Sequence, residues 1–146
     1  MNEVIEMTEK RYEELIPGRV FIGGVDAIEQ LLENEKIDVI YDLRTNPKNG
    51  LPSELSVHQP IVDEKEDQDE SIKAAVNAVL QSYKDGKNVY FHCNTGRGRA
   101  GTIAAATLLE LGLADTVEEA EEKAKAIRPV IQIKAPFKEA LKRMYE

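Results

Sequence analysis

Short apolar runs alternate with amphipathic stretches along most of the chain. Residues 19–24 (RVFIGG) form an apolar run that ends in two glycines and predicts a strand, and residues 26–35 then carry apolar side chains at helical spacing. Residues 37–43 (IDVIYDL) are almost continuously apolar over the length of one strand, which fits a strand buried on both faces of a sheet. A strand, a helix and a second strand therefore open the predicted fold.

The rest of the chain continues this alternation after a loop rich in Pro, Gly and Asn at 44–55. Gly86 and Gly112 lie where helices are expected to stop, and Thr116 with Glu119 forms a capping box. We expect an α/β fold with a central, mostly parallel sheet flanked by helices, as one domain spanning 1–146. The later elements are predicted as strands at 57–62 and 88–92 and as helices at 71–85, 102–111, 116–127 and 136–145.

The composition is that of a soluble globular protein, because 42% of the 146 residues are hydrophobic and 32% are charged. A formal net charge of −8 disfavours binding to nucleic acid or to anionic membranes, since both are polyanions. No window holds the roughly 18 apolar residues that a spanning helix needs, and the first 15 residues are too acidic for a signal peptide. We expect a cytoplasmic monomer with neither nucleic acid nor membrane as a partner.

The segment 92–101 (HCNTGRGRAG) places Cys93 and Arg99 six positions apart on a glycine-rich loop between a predicted strand and a predicted helix. Such a loop can turn its amide N–H groups toward one centre, and the following helix adds its positive N-terminal end. Arg99 can present a planar fork to two phosphate oxygens, and the same donors favour the thiolate of Cys93. The pattern predicts a thiolate that attacks a phosphate monoester and forms a phosphocysteine intermediate.

The leaving oxygen of such a reaction needs a proton from a carboxylic acid on another loop. Candidates in the acidic stretch upstream are Asp63, Glu64, Asp67 and Asp69, and we expect Asp63 to be the general acid. The chain has two histidines and one cysteine, which cannot form a convincing transition-metal site once Cys93 is engaged. Metal-independent catalysis without a cofactor is therefore expected.

The segment HCNTGRGRAG resembles the HCxxGxxR signature loop of the protein tyrosine phosphatases, specifically their dual-specificity branch. RVFIGGVDAIEQL and IDVIYDL resemble the opening strand, helix and strand of that branch, and IRPVIQIKAPFKEAL resembles its closing segment. The resemblance implies a dual-specificity phosphatase-like fold, Cys93 as nucleophile, and His92 as a residue behind it that tunes the thiolate. In that family the general acid ends a strand some thirty residues before the nucleophile, where Asp63 falls. The implied phosphate-binding residues are Asn94, Thr95, Gly96, Arg97, Gly98 and Arg99.

Two positions depart from the pattern of that family. Ala100 stands where the family usually has Ser or Thr, whose hydroxyl helps to release the thiolate, and Thr102 need not replace it. Slow turnover of the intermediate, or a catalytically weak phosphate-binding module, therefore stays an alternative. Arg97 adds a cation inside the loop, and in this respect the loop resembles that of members acting on inositol phosphates or phospholipids. The substrate therefore stays open between phosphorylated proteins, inositol phosphates, phosphoglucans and small metabolites.

Three further polar residues outside this motif are candidates for a structural or functional role. We expect Arg44 and Arg128 to be salt-bridge partners rather than parts of the site, and Gln132 lies where some members of that family position the hydrolytic water. Low-molecular-weight phosphatases and rhodanese-like sulfurtransferases also use a loop that begins with Cys. They fit less well, because the former carry it near the N-terminus and the latter usually lack these glycines and a leaving-group acid.

Overall fold

The computed structural model describes residues 10–62 and 67–146, and these form a sheet flanked by helices. The sheet has the strand order β1-β2-β5-β3-β4, in which β1 is antiparallel to β2 and the other neighbouring strands are parallel. The mostly parallel α/β sheet predicted from the sequence is confirmed. Its strands are β1 (Tyr12–Ile16), β2 (Val20–Gly24), β3 (Val39–Asp42), β4 (Ser56–His58) and β5 (Val89–Cys93).

Helices cover both faces of this sheet. A single 3-10 turn, Val25–Ala27, leads from β2 into the first helix. The described residues form five α-helices: α1 (Ile28–Asn34), α2 (Gln68–Lys84), α3 (Arg99–Glu110), α4 (Val117–Ile127) and α5 (Ala135–Tyr145). None of the helices in the described part of the chain is both long and apolar enough to cross a membrane.

The alternation of side chains along β5 assigns its residues to two hydrophobic clusters. Val89, Phe91 and Cys93 pack in the larger cluster with residues of helices α2 to α5. Tyr90 packs in the smaller cluster on the opposite face, with residues of β1 and α1. Because successive strand residues point to opposite faces, Cys93 and the preceding His92 lie on different sides of the sheet.

Three differences from the sequence-based elements concern boundaries and one edge strand. Strand β1 was not predicted, because its sequence YEELI carries charged residues and its outer side chains are only partly buried. Helices α2 and α3 begin three residues earlier than expected, at Gln68 and Arg99. Strand β4 ends at His58, before Pro60, which has no N–H to donate to a sheet ladder.

Candidate active site

The candidate site lies where three parallel strands end side by side. In the sheet register, Gly24 at the end of β2 is opposite Cys93 on β5, and Asp42 at the end of β3 is opposite His92. The carboxyl ends of parallel strands are the usual position for ligand sites in open α/β sheets. Strand order therefore brings the end of β5 between two other strand ends.

Cys93 is the last residue of β5, and its side chain is 6% exposed. The backbone N–H of Gly96 donates a hydrogen bond to Cys93 Sγ over 3.2 Å. Helix α3 begins six residues after the cysteine, with Gly98 in the cap position, so the helix N-terminus follows directly from the loop. The short loop thus turns back toward the sulfur atom and gives it a main-chain donor at Gly96.

Gly96 is required by two properties of its position. Its φ of +74° lies in the left-handed region, which L side chains adopt at a cost. A Cβ atom there would also lie 2.6 Å from the carbonyl carbon of Gly23 and 2.7 Å from Nη2 of Arg128. The loop therefore packs directly against the end of β2, where the N–H of Val25 also donates to the carbonyl oxygen of Asn94 over 3.2 Å.

Arg99 is tied to the segment that follows β4. Its Nε donates a 2.7 Å hydrogen bond to the carbonyl oxygen of Ile61. The N–H of Ile61 in turn donates to the carbonyl oxygen of Leu43, and the N–H of Val62 donates to Ser71 Oγ on α2. The chain that precedes the predicted general acid is therefore anchored to the arginine of the loop, to β3 and to α2.

The predicted general acid, Asp63, and its neighbour Glu64 lie outside the described residues. Among the other candidates, Asp69 on α2 accepts hydrogen bonds from Nε and Nη2 of Arg143 at 2.9 and 2.8 Å. The bonds from Arg143 hold the pKa of Asp69 below its usual range, so this carboxylate is poorly suited to donate a proton. Asp67 precedes α2 in the cap position without a side-chain capping bond.

A pocket of about 310 Å³ opens above the loop. Of the predicted phosphate-binding residues it excludes only Gly96, whose N–H points to the sulfur instead. Lys134 and Phe137 were missed by the sequence analysis, since nothing in their local sequence marks them. The N–H of Gln132 donates to the carbonyl oxygen of Arg97 over 3.0 Å, which joins that segment to the loop. The lining residues are Cys93, Asn94, Thr95, Arg97, Gly98, Arg99, Gln132, Lys134 and Phe137.

His92 is completely buried behind the cysteine. Its Nδ1 lies 3.0 Å from the carbonyl oxygen of Cys93, and since a carbonyl only accepts, Nδ1 carries the proton. Nε2 is 3.9 Å from Asp42 Oδ2 and has no hydrogen-bond partner within the described residues. Burial lowers the pKa of His92, which favours the neutral ring.

Asp42 is also fully buried and is paired with Arg44. Nε and Nη2 of Arg44 donate to its two carboxylate oxygens at 3.0 and 2.7 Å, and the Arg44 N–H adds a third bond. Burial alone would raise the pKa of Asp42, but the hydrogen bonds from Arg44 outweigh it and the pKa is lowered. The expected salt-bridge role of Arg44 is therefore present, and it holds the guanidinium in one orientation beside the site.

Arg128 supports the loop from behind. The residue is 8% exposed, and its Nε and Nη2 donate to the carbonyl oxygens of Gly96 and Thr95, both at 2.9 Å. Its Nη1 pairs with Glu13 on β1. The expected salt bridge of Arg128 is present, whereas its contact with the loop was not predicted, because 32 residues separate it from Gly96.

The start of α3 shows whether Thr102 replaces the missing hydroxyl at position 100. Ala100 is fully buried and offers no hydroxyl. Thr102 Oγ1 donates to the carbonyl oxygen of Gly98 over 2.8 Å, which is the usual i−4 bond of a helical threonine. In this arrangement the Thr102 hydroxyl proton is directed to the helix backbone rather than to the sulfur of Cys93.

No three His, Cys, Asp or Glu side chains at 10–62 and 67–146 come together as a candidate metal site. The pocket is lined instead by the cations Arg97, Arg99 and Lys134, and the Gly96 N–H donates to the Cys93 sulfur. Such donors bind anions.

Comparison with known proteins identifies the class to which this fold and site belong. Residues 47–140 match the family described as PTP-SAK, the Swiss Army Knife protein, DSP-PTPase phosphatase domain. Because the match covers more than half of the chain, the protein belongs to this family of the protein tyrosine phosphatase superfamily. No curated protein sequence matches the chain.

Solved structures with similar folds are dual-specificity and related phosphatases. Human DUSP28 is 20% identical with a TM-score of 0.74, and the match covers 94% of this chain and 95% of that one. PTPMT1 in complex with PI(5)P is 21% identical with a TM-score of 0.75, covering 93% and 95%. A leucine-rich repeat and phosphatase domain protein from Entamoeba histolytica is 21% identical with a TM-score of 0.74, covering 92% and 90%. The dual-specificity phosphatase-like fold expected from the sequence is thereby confirmed.

Proposed function

We propose that the protein hydrolyses phosphate monoesters through a phosphocysteine intermediate, with residues 1–146 as one catalytic domain. The observation that carries this proposal is the Gly96 N–H directed at Cys93 Sγ at the floor of a pocket that Arg99 also lines. Donors aimed at the sulfur stabilise a thiolate, and the same donors stabilise phosphate oxygens as charge develops on them. Membership of a phosphatase family supports the reaction class.

In the first step the Cys93 thiolate attacks phosphorus from the side opposite the leaving oxygen. A bond forms between Sγ and phosphorus while the bond from phosphorus to the leaving oxygen breaks, and Asp63 donates its proton to that oxygen. The amides of 94–98 and the guanidinium of Arg99 hold the three remaining oxygens. The hydrogen bond from Arg99 Nε to Ile61 supports this role, because it limits how the guanidinium plane can rotate.

In the second step water attacks the phosphorus of the phosphocysteine. The ionised Asp63 accepts a proton from this water, the bond between sulfur and phosphorus breaks, and phosphate leaves with the thiolate restored. Gln132 lines the pocket and is our proposal for the side chain that positions the water. The role of Asp63 is supported by its neighbours in sequence, since Ile61 binds Arg99 and Val62 is bonded to α2.

His92 acts from behind the nucleophile in this proposal. Its Nδ1–H donates to the carbonyl oxygen of Cys93, which restrains the backbone at the point where β5 becomes the loop. Burial keeps the ring neutral, so the bond to the carbonyl does not depend on a charge. His92 is therefore a positioning residue and does not touch the phosphate.

A catalytically weak phosphate-binding protein is the second candidate, and the residues at the start of α3 favour it. Ala100 offers no hydroxyl to the leaving thiolate in the second step, and the Thr102 hydroxyl is bonded to Gly98. The same two residues are consistent with an enzyme whose phosphocysteine breaks down slowly. The two candidates differ in whether any intermediate forms.

The test measures hydrolysis of phenyl phosphate and p-nitrophenyl phosphate under reducing conditions with a chelator present. Cys93→Ser is expected to lower kcat by about 10³-fold or more on both compounds. Asp63→Asn is expected to lower kcat/KM about 10²-fold or more on phenyl phosphate and much less on p-nitrophenyl phosphate, whose leaving group hardly needs a proton. Asp115→Asn, an exposed carboxylate outside the pocket, is the matched control for Asp63→Asn and should equal the wild type.

Trapping separates the two candidates. Acid quenching of the wild type during turnover should recover phosphate on Cys93, and the same quench of Cys93→Ser should recover none there. If the protein binds phosphate tightly but shows neither turnover nor trapped phosphocysteine, it is a phosphate-binding protein and not an enzyme. If Asp63→Asn lowers kcat/KM by the same factor on both compounds, Asp63 is not the general acid.

A further inference from the structure

A second pocket of about 560 Å³ lies beside the one that contains Cys93. Asn94 lines both pockets, so the two spaces meet at the first residue of the loop. The outer wall of the second pocket is the segment between β3 and β4, which contributes Arg44, Asn46, Lys48 and Asn49. None of the described residues that line it is a carboxylate.

Hydrogen bonds hold Arg44 in place in the wall of this second pocket. Arg44 is held by the fully buried Asp42, which accepts hydrogen bonds from its Nε and Nη2. Within the part of the chain that the structure describes, Nη1 of Arg44 has no hydrogen-bond acceptor. The main chain at Arg44 is held as well, since its carbonyl oxygen lies 2.7 Å from Nε2 of His58. The guanidinium is therefore held in one orientation by Nε and Nη2, and Nη1 can donate to a ligand.

Lys48 adds the net charge that the Arg44 and Asp42 pair cannot supply. It sits in a turn closed by the hydrogen bond from the Gly50 N–H to the carbonyl oxygen of Pro47, and Gly50 takes the positive φ of 77° that favours glycine. Its ammonium group is exposed on the pocket wall. On a chain with a net charge of −8, a lysine and an oriented arginine beside a phosphate-binding loop form a local cationic site.

The amide side chains along both pockets bear on the scaffold of the substrate. Among the described residues that line the two pockets, Phe137 is the only aromatic one. The amide side chains of Asn46, Asn49, Asn94 and Gln132 provide both donors and acceptors, which suit the hydroxyl groups of a polyol.

Resting on the proposed function, we propose that Arg44 and Lys48 bind a second phosphate of the substrate while the first lies at Cys93. The substrate class is a small polyol that carries two phosphate groups. The second phosphate accepts hydrogen bonds from Nη1 of Arg44 and from the Lys48 ammonium, and the asparagines meet the hydroxyl groups between the two phosphates. When a monophosphate binds at Cys93, water fills the second pocket.

The test compares matched pairs that differ by one phosphate: fructose 6-phosphate with fructose 1,6-bisphosphate, and inositol 1-phosphate with inositol 1,4-bisphosphate. For at least one pair, the wild type should hydrolyse the bisphosphate with a kcat/KM about tenfold or more above that of the monophosphate. Lys48→Gln should lose most of this preference. Lys73→Gln, an exposed lysine of α2 that lines neither pocket, should retain both activity and preference. The wild-type preference should also shrink as salt is added.

Calorimetric binding to Cys93→Ser keeps the test independent of turnover. The bisphosphate should bind about tenfold more tightly than the monophosphate, and adding Lys48→Gln should remove the difference. Wild-type turnover of p-nitrophenyl phosphate tests the proposed function separately. The phosphatase activity and the second phosphate site can therefore be refuted independently of each other. Equal affinities for the two members of every pair, or a preference that survives Lys48→Gln, would overturn the second phosphate site.

The source of the polyol is decided by two further arms. Inositol bisphosphate is offered free and as the headgroup of phosphatidylinositol bisphosphate in phosphatidylcholine vesicles, and Lys48-dependent turnover of either supports the pocket and names the source. A doubly phosphorylated peptide is the third arm. If only the peptide shows Lys48-dependent turnover, the polyol assignment is wrong.

Discussion

The guanidinium of Arg128 donates a 2.9 Å hydrogen bond from Nε to the carbonyl oxygen of Gly96, which is the residue whose own N–H points at Cys93 Sγ. A second bond from Nη2 holds the carbonyl oxygen of Thr95. Because Arg128 binds these carbonyl oxygens from behind, the loop keeps the Gly96 N–H facing the sulfur. The orientation of the loop donors therefore depends on a side chain at the end of α4.

Arg128→Met is expected to destabilise the protein by about 3 kcal/mol, because it leaves two loop carbonyls without these donors and Glu13 without its partner. It should also lower kcat/KM for aryl phosphates, since the loop loses its support. Urea denaturation measures the first effect. Arg11→Met is the control, because among the described residues the exposed Arg11 side chain pairs only with the exposed Asp26, at 3.9 Å. An Arg128→Met protein as stable and active as this control would contradict the assigned support.

Gly96→Ala should abolish activity and destabilise the protein well beyond the conformational cost of its positive φ. A methyl group at Gly96 would lie 2.6 Å from the main chain of Gly23, whereas one at Gly112 meets nothing within 4 Å. The two glycines have almost the same φ, +74° and +72°, so Gly112→Ala carries the backbone cost alone, about 1–2 kcal/mol. Urea denaturation of both variants gives the difference. If they lose the same stability, the close approach of loop and β2 contributes nothing.

Ala100→Ser is expected to speed the breakdown of the phosphocysteine about tenfold, because a hydroxyl at this buried position can donate to the departing thiolate. In rapid mixing, the wild type should show a burst of phenol followed by a slow phase, and the variant should show a faster slow phase. Ala104→Ser adds a hydroxyl to a buried position one turn further along α3 and should leave the slow phase unchanged. If the slow phase has the same rate in the wild type and both variants, the missing hydroxyl at position 100 does not limit turnover.

The buried His92 should make the protein less stable as the pH falls below about 6.5, the ordinary pKa of histidine. Burial lowers the pKa of His92 in the folded state, so at intermediate pH the unfolded chain binds a proton that the folded chain does not. The stability that neutral His92 allows is therefore present above pH 6.5 and is lost as the pH falls through the lowered value. Unfolding free energies of wild type and His92→Gln between pH 7.5 and 5.5 should show a shallower fall for the variant. Parallel curves would contradict this account.

Local patterns were enough to predict most of the elements. The apolar run of β5, the glycines after it and the helical spacing of α2 each act within a few residues, so short-range rules detect them. Strand β1 was missed because an edge strand needs few apolar residues, and its place comes from pairing with β2. The early starts of α2 and α3 likewise reflect tertiary packing, which extends helices into polar or glycine-rich sequence.

The sequence by itself determined the class of protein and predicted its reactive centre, because Cys93, the glycines and Arg99 lie within one short loop whose expected chemistry depends on their spacing. Only the tertiary structure decided what surrounds that loop. Arg128 reaches it from the end of α4, Ile61 anchors Arg99, and Arg44 comes beside it through the order of the strands. These contacts join residues that are far apart in the chain, so their geometry arises from packing of the sheet and helices and leaves no local pattern to read.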